Sequence, residues 1–304
     1  MLDTFIIGAG PAGITAAVYA KRYNLTFEML EKESIVGGKV NYPHWIENFI
    51  GYPDGIKGSS LVKVLERHLH VLGIQPIQGL CEKITEIQNG YEVTTSKGDT
   101  YQSKTIIIAT GTVSKKLGIP GEEAFIGKGI STCATCDAPF FKNKTIAVVG
   151  GGDSALAETN YLSEFASKIY LIHRREEFRG VPSLVKALEE NSSIQLYKGY
   201  LPVSIQGDQF VQSITIQNKQ TNQQETLVVN GVFIFSGYTP KTDFIAFPLA
   251  LDDQGFIKTD AEMKTSQPRV YAVGDIQSKA LRQIVTATSD GAIAIHSIRN
   301  LLYA

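Results

Sequence analysis

At 304 residues the chain predicts two domains of roughly 150 residues, each long enough to bury a core of its own. The 29 Lys and Arg against 30 Asp and Glu leave a net charge of −1, so no global basic field exists to attract nucleic acid or anionic lipid. Hydrophobic residues at 43% and charged residues at 19% are ordinary globular values and exclude disordered and fibrous classes.

The first element is the apolar stretch Thr4-Phe5-Ile6-Ile7, a predicted strand that runs directly into Gly8-Ala9-Gly10-Pro11-Ala12-Gly13. No basic leader precedes it and no apolar run reaches the roughly 18 residues of a membrane helix, so the expectation is a cytoplasmic protein. An Ala-rich helix follows over 14–23, then a strand over 26–30 that ends in Glu31, completing one βαβ unit. Residues 82–95 and 100–109 read as further strands, closed by the small-residue turn Ala109-Thr110-Gly111. The opening plan then returns: a strand over 145–149, the turn Gly150-Gly151-Gly152-Asp153-Ser154-Ala155, a helix to Leu162 and a strand over 168–172. Residues 201–217 and 226–235 repeat the strand pieces and close on Phe235-Ser236-Gly237.

No third glycine-rich unit opens after Gly237, so residues 1–112 and 242–304 are read as one discontinuous domain, with 113–241 inserted into it. The hinges fall near 112–117 and 237–243. His68-Leu69-His70 is read as a solvated helix face, and Trp45 with Tyr42, Phe49 and Tyr52 as core or cofactor packing.

A glycine-rich turn between a strand and a helix lets the backbone approach a pyrophosphate at the positive helix end. The bland alternative, a tight turn without ligand, has to be invoked twice in this chain. Twenty-one positions beyond Gly10 stands Glu31, a carboxylate that accepts from a ribose diol and repels a 2′-phosphate. Twenty-one beyond Gly152 stands His173, followed by Arg174, Arg175 and Arg179, whose guanidinium forks suit a phosphate dianion. The alternative for these arginines is a solvated basic edge paired with Glu176 and Glu177. The first site therefore suits FAD or NAD and the second NADPH.

Tyr271-Ala272-Val273-Gly274-Asp275 and a redox dithiol favour FAD in the first site. The fold class is α/β: two Rossmann-like three-layer nucleotide-binding domains, the NADPH domain inserted into the FAD domain. Three cysteines are too few, and odd in number, for a secreted disulfide framework, so any disulfide here is expected to be chemical. Cys133-Ala134-Thr135-Cys136 has the spacing of a small-loop disulfide in which one thiol stabilises the other as thiolate. A zinc site needs two more ligands, which neither Cys81 nor the spacing of the five histidines supplies. Asp137 adjoins the pair and can shuttle a proton, or it simply caps the segment entering Ala138-Pro139. Cys81 reads as a buried small hydrophobe.

Gly8 to Gly13, Cys133-Ala134-Thr135-Cys136-Asp137, Gly150 to Ala155, and His173-Arg174-Arg175 with Arg179, four motifs in this order over nearly the whole chain, resemble the low-molecular-weight thioredoxin reductases. The resemblance implies that Glu31, Gly38, Asn48, Asp275 and Gln283 touch FAD. With them go Gly8, Gly10, Pro11, Ala12, Gly13, Gly111, Gly274 and Arg282. It implies that Gly152, Ser154, Arg174, Arg175 and Arg179 hold NADPH, together with Gly150, Asp153, Ala155 and His173, and that Glu158 lies near the nicotinamide. Electrons pass from NADPH through FAD to the Cys133–Cys136 disulfide and on to a protein disulfide, with thioredoxin or a thioredoxin-like protein as partner. Cys136 faces the flavin, Cys133 is the interchange thiol and Asp137 the acid/base. A domain rotation about the hinges and a homodimer are also implied.

The chain departs from the family pattern in three places. Residues 39–45 are bulkier than a Thr-rich run, Leu281 replaces an aromatic before Arg282-Gln283, and Gly180-Val181-Pro182 interrupts the helix expected after Arg179. Two rival readings stay open: a same-scaffold reductase serving a peroxidase or another redox protein, and a non-enzymatic FAD-binding redox sensor.

Replacing Arg174 and Arg175 together by Ala is expected to raise the KM for NADPH by about tenfold or more and to leave that for NADH nearly unchanged. Steady-state kinetics with both cofactors check this, and equal effects on the two refute the phosphate clamp.

Overall fold

A strand that is apolar on both faces belongs inside a sheet covered on both sides, and β1 (Leu2–Ile7) is such a strand. The computed structural model describes residues 1–41, 46–178 and 180–303, with the side chains of Thr135 and Cys136 also outside the described set. The chain divides into two compact units, the first comprising Met1–Asn41, Trp45–Val113 and Thr239–Ala304 and the second built on Ser114–Tyr238. In chain order β1 leads to α1 (Pro11–Arg22), β2 (Phe27–Glu31), α2 (Gly58–Val71) and β3 (Ile77–Gln78). Then come β4 (Cys81–Ile87), β5 (Gly90–Thr95), β6 (Thr100–Ile108) and β7 (Thr112–Ser114). The second unit continues with β8 (Ile130–Ser131), α3 (Ala134–Asp137), β9 (Thr145–Gly150), α4 (Asp153–Leu162), β10 (Lys168–His173), α5 (Pro182–Glu189) and β11 (Ile194–Lys198). Its last strands are β12 (Tyr200–Gly207), β13 (Val211–Asn218), β14 (Gln224–Val228) and β15 (Gly231–Phe235). After β16 (Tyr238–Pro240), the first unit closes with β17 (Val270–Ala272) and α6 (Ile284–Tyr303).

In the first unit the sheet order is β3-β2-β1-β6-β5-β4, with β17 pairing β6 off this path. β1 runs parallel to β2 and β6, whereas β4, β5 and β6 form an antiparallel meander. The two faces of β1 enter two different cores. Ile6 packs among the alanines of α1 and with Ile295 and Ile298 of α6, while Phe5 and Ile7 join Ile84, Val93 and Ile257 on the other side. The alanines of α1 have a reason beyond helix propensity: α6 crosses so closely that a Cβ on Gly291 would lie 2.2 Å from the carbonyl oxygen of Ala12.

The second unit repeats this logic. Its sheet, ordered β11-β10-β9-β15-β8, has every neighbouring pair parallel. Ile146 and Val148 of β9 face Leu156 and Leu162 of α4 and Leu188 of α5; Ala147 and Val149 face Ile205, Ile214 and Ile216 of the antiparallel sheet β12-β13-β14. Helices, parallel sheet and antiparallel sheet make three layers.

Some elements differ from the sequence reading in informative ways. Residues 226–235 form two strands in different sheets, because Asn230 exchanges hydrogen bonds with Thr145 and a Cβ on Gly231 would strike the Phe141 ring at 2.2 Å. Gly180-Val181-Pro182 does not end a helix; it starts one, with Val181 as N-cap and Pro182 in the first turn of α5, where a missing N–H costs nothing. On α2, His68 and His70 are exposed while Leu69 between them is buried.

Asp3 ties the start of the first unit together. Its carboxylate accepts from the Thr26 amide at 2.9 Å, the Thr26 hydroxyl at 2.8 Å and the Tyr303 hydroxyl at 3.2 Å, and pairs with Lys104 Nζ at 2.8 Å. Burial pushes this carboxyl up, but the Lys104 ammonium and the Thr26 donors outweigh it and bring it down to about 2. The folded group sits below its ordinary value of 3.8, so its contribution is present in full above that value and disappears as pH falls toward 2. Asp3→Asn is expected to lose stability by about 1–2 kcal/mol at pH 7 and to show less acid destabilisation between pH about 4 and 2 than the parent. Denaturant melts at a series of pH values measure both.

Candidate functional site

In the first unit the site is built around the N-terminus of α1. The chain leaves β1 through Gly8, whose φ of 105° puts it in the left-handed region and whose Cβ would lie 2.5 Å from the Ala109 carbonyl oxygen. Gly13, one turn into the helix, could carry no side chain because its Cβ would lie 1.9 Å from the Gly8 carbonyl oxygen. Gly10, the N-cap, has open space where a side chain would be, and Pro11 occupies the first helical position. The first-turn amides of α1 thus sit behind a backbone surface stripped of side chains, the arrangement that receives a pyrophosphate.

Several sequence-distant residues close around this turn. Glu31, buried at the end of β2, accepts the Ala9 amide on Oε2 at 2.6 Å and the Glu33 amide on Oε1 at 3.1 Å. Beside it Glu33, Val36, Leu69, His70, Ile74 and Pro76 line a cleft of about 270 Å³. The Gly37 amide donates to the Ala9 carbonyl at 2.7 Å, and the side of Gly38 faces the Cα of Gly10. Gly111 turns the chain after β6 in a left-handed conformation, also with open space beside it.

From the C-terminal segment, Gly274 packs against Ala12, and Asp275 meets Lys39 Nζ at 2.6 Å. Asn48 donates from Nδ2 to Oε1 of Gln283 at 3.1 Å. Arg282 is engaged locally: its guanidinium donates to the carbonyls of Asp275 and Gln277 and lies over the Phe256 ring at 3.8 Å, so it shapes the loop that carries Asp275.

The sequence reading missed Asp290. This carboxylate, buried in α6, accepts from the Gly274 amide at 2.9 Å and Gln277 Nε2 at 3.0 Å and pairs with Lys279 Nζ at 2.5 Å. It holds the Gly274-Asp275 turn in place. A lone carboxylate inside an apolar helix was the available signal. A glycine cradle, a carboxylate-ended strand and the polar groups of Asn48, Asp275 and Gln283 fit FAD by the chemistry of the donors present.

The second unit carries the same turn with different support. A Cβ on Gly150 would lie 2.6 Å from Ala155 Cβ, while Gly152, the N-cap of α4, has open space beside it. A Cβ on Gly151 would lie 2.1 Å from Nδ1 of His173. His173 is buried, with Nε2 3.1 Å from the Glu177 carbonyl oxygen and its ring stacked on Phe178 at 5.2 Å. Burial lowers its pKa below the ordinary 6.5, which favours the neutral ring. The ring therefore props the glycine turn. Arg174 beside it is exposed, and Ser154 is exposed at the start of α4. Asp153 accepts the Val181 amide at 2.7 Å and so fastens the start of α4 to the start of α5. Arg179 lies outside the described residues. These donors and open glycines fit a phosphorylated dinucleotide such as NADPH.

The Cys133 turn stands at the carboxyl edge of the same parallel sheet. Ser131, the last residue of β8, pairs in register with Phe233, and Gly150 ends its own strand opposite Phe235. Both glycine turn and dithiol segment leave the sheet at the edge where open α/β sheets bind ligands. Cys133 is disulfide-bonded, and its amide donates to Ser131 Oγ at 3.0 Å. The single turn of α3 follows, with the Asp137 amide donating to the Cys133 carbonyl at 3.3 Å. The Cys136 side chain lies outside the described set. Ala134 and Ala138 are buried with Leu156 of α4, so the redox turn rests on the helix that the glycines open. Phe140, just beyond, is 70% exposed. Cys81 is a free buried thiol that burial pushes up to about 12, which keeps it unreactive at neutral pH. Among the described residues no cluster of His, Cys, Asp and Glu could hold a metal ion, and no helix is long and apolar enough to cross a membrane.

This geometry has close counterparts. The chain belongs to the pyridine nucleotide-disulphide oxidoreductase family, whose model matches residues 2–291. It is 37% identical over 308 residues to a thioredoxin reductase of Helicobacter pylori, covering 99% of each chain. The thioredoxin reductase structure of Lactococcus lactis superposes with a TM-score of 0.94 at 36% identity, covering 99% of each chain. A ferredoxin-flavin thioredoxin reductase of Clostridium acetobutylicum matches at 31% identity and a TM-score of 0.55, covering 99% of this chain and 98% of that one.

Glu158 projects from α4, where burial pushes its carboxyl from an ordinary 4.5 up to about 7. Ionising it costs folding energy, so the penalty grows as pH rises from 4.5 to about 7 and is constant above. Glu158→Gln, which never ionises, is expected to come closest to the parent near pH 4 and to melt several degrees higher than it at pH 8. Thermal scans at the two pH values check this.

Proposed function

We propose that this protein is an NADPH-dependent, FAD-containing thioredoxin-disulfide reductase, with FAD bound in the first unit and NADPH in the second. The observation that carries this reading is the disulfide-bonded Cys133 on the carboxyl edge of the second sheet, resting on the helix opened by the second glycine turn. Such an arrangement serves a protein that both holds a hydride donor and exchanges disulfides.

When bound, FAD supplies a relay that takes up a hydride and gives up an electron pair. Gly8, Gly10, Pro11, Ala12, Gly13, Glu31, Gly38, Asn48, Gly111, Gly274, Asp275, Arg282 and Gln283 are proposed to hold and shape its site. For NADPH the proposed set is Gly150, Gly152, Asp153, Ser154, Ala155, Glu158, His173, Arg174, Arg175 and Arg179. Glycine amides at α4 receive the pyrophosphate, the arginines the 2′-phosphate, and His173 keeps the turn open by packing beneath Gly151.

Reduction of the Cys133–Cys136 disulfide consumes two electrons and two protons and yields two thiols. We assign Asp137, at the end of α3, the role of shuttling a proton in that exchange. The Cys133 thiolate attacks one sulfur of the partner's disulfide, the other partner sulfur leaves as thiolate, and Cys136 resolves the mixed disulfide. Exposed Phe140 next to this turn offers the partner an apolar contact. Paired arginines after β10 favour NADPH over ferredoxin as electron source, since a protein donor has no 2′-phosphate to bind. The reading carries with it a homodimer that works in the cytoplasm, and sedimentation should show twice the mass of one chain.

Anaerobic NADPH is expected to bleach the bound flavin in both the parent and Cys133→Ser, while turnover of thioredoxin with a disulfide dye falls about 100-fold or more in the variant. Absorbance titration and dye kinetics measure the two steps separately. Failure of NADPH to bleach the flavin would overturn the donor, and undiminished turnover in Cys133→Ser would overturn the dithiol route. Turnover with a peroxidase and none with thioredoxin would move the peroxidase reading ahead.

A further inference from the structure

Lys39 stands at a junction of three segments that meet only in the folded first unit. It follows Gly37-Gly38, whose backbone lies against the glycine turn of α1. Its ammonium lies 2.6 Å from Oδ2 of Asp275, on the C-terminal loop, and donates to the Thr112 hydroxyl at 2.9 Å, one residue past Gly111. The ion pair is sheltered, with side chains 30% and 19% exposed, so solvent screens it less than a surface pair. Asp275 is also braced from behind: Arg282 holds its carbonyl, and Asp290 holds the Gly274 amide. The carboxylate itself is met by Lys39, the cation paired with it.

We propose that Lys39 is a positioning residue of the flavin site, which fixes the Asp275 carboxylate and cancels its charge, so that the flavin is reduced beside a neutral pair. The inference rests on FAD occupying the first unit. Two-electron reduction adds negative charge to the flavin, and an uncompensated carboxylate nearby opposes it. The ammonium removes that opposition through Asp275 without having to touch the ring. Exchanging either charge alone for a neutral group removes the ion pair and leaves a net charge in a partly sheltered site.

The test is the equilibrium between enzyme flavin and an indicator dye during slow anaerobic reduction, with FAD dissociation measured alongside. Lys39→Met is expected to lower the ratio of reduced to oxidised flavin by about tenfold at a given dye potential, which for a two-electron couple corresponds to about 30 mV. Lys39→Arg, which keeps the charge, should stay within about twofold of the parent, and Lys39→Met with Asp275→Asn should return toward it because both charges are gone. If Lys39→Met retains too little flavin to measure, the arginine and double variants carry the comparison. A double variant displaced as far as an Asp275→Asn single variant, with Lys39→Arg shifted as well, overturns the pairing.

An unchanged flavin equilibrium in fully loaded Lys39→Met overturns the proposal while leaving the reductase reading intact. A parent protein that binds no FAD overturns both. A purely structural role would weaken FAD binding in every Lys39 variant without the charge-dependent pattern, and that result also refutes the proposal.

Discussion

Everything in the first unit depends on how closely its backbone packs at one turn. Gly8 and Gly13 approach within the space a single methyl group would need, and the Ala109 carbonyl closes on Gly8 from the neighbouring strand. This contact brings the end of β1, the start of α1 and the end of β6 to one point. A larger residue at either glycine would push the helix off the strand and remove the exposed amides that receive a pyrophosphate. The near-contact of Gly291 with Ala12 follows, because α6 can reach the turn only if α1 presents small side chains.

Carboxylates do the long-range joining. Asp3 links the starts of β1 and β2 to Lys104 and Tyr303, Glu31 links the end of β2 to the amide of Ala9, and Asp290 links α6 to the Gly274 turn. Each is buried, and each faces backbone amides or an ammonium, which is the condition under which a buried charge is tolerable. The site is thereby rigid where the dinucleotide is to be gripped. It also gathers negative charge, against which the Lys279 and Lys39 ammonium groups stand at Asp290 and Asp275 respectively.

What could be read in the chain before folding was whatever has a local signature. Strands flanking a glycine turn, the regular distance from Gly10 to Glu31 and from Gly152 to His173, and the Cys-x-x-Cys spacing are all written within short windows. α6 escaped because an apolar helix rich in Ala and Ile has no sharp polar face, and the split of residues 226–235 escaped because Gly231 interrupts a run whose composition is strand-like throughout. The Asp275 partner of Lys39, the anchoring by Asp290 and the carbonyl contacts of Arg282 were illegible for a different reason. Their roles are set by partners far along the chain or by the curl of a loop, and no spacing rule encodes a contact between residues 39 and 275.

If FAD and NADPH are held at the two glycine turns as proposed, one scaffold separates two dinucleotides by the way it supports each turn. The residue ending the second strand must support the turn in both units, since Ala9 donates to Glu31 and Gly151 packs on His173. In the first unit that support is a carboxylate, so the same group that shapes the turn also repels a 2′-phosphate. In the second the support is an imidazole held largely neutral by burial, which contributes shape without charge. The charge is displaced one residue onward, to exposed Arg174, where it can meet a phosphate without being needed to hold the turn. Structural support and ligand selection coincide at Glu31 and are divided between neighbours at His173 and Arg174. On the proposed reading, altering the arginine changes cofactor preference in the second unit and leaves the turn standing, whereas altering Glu31 removes both the selectivity and the support.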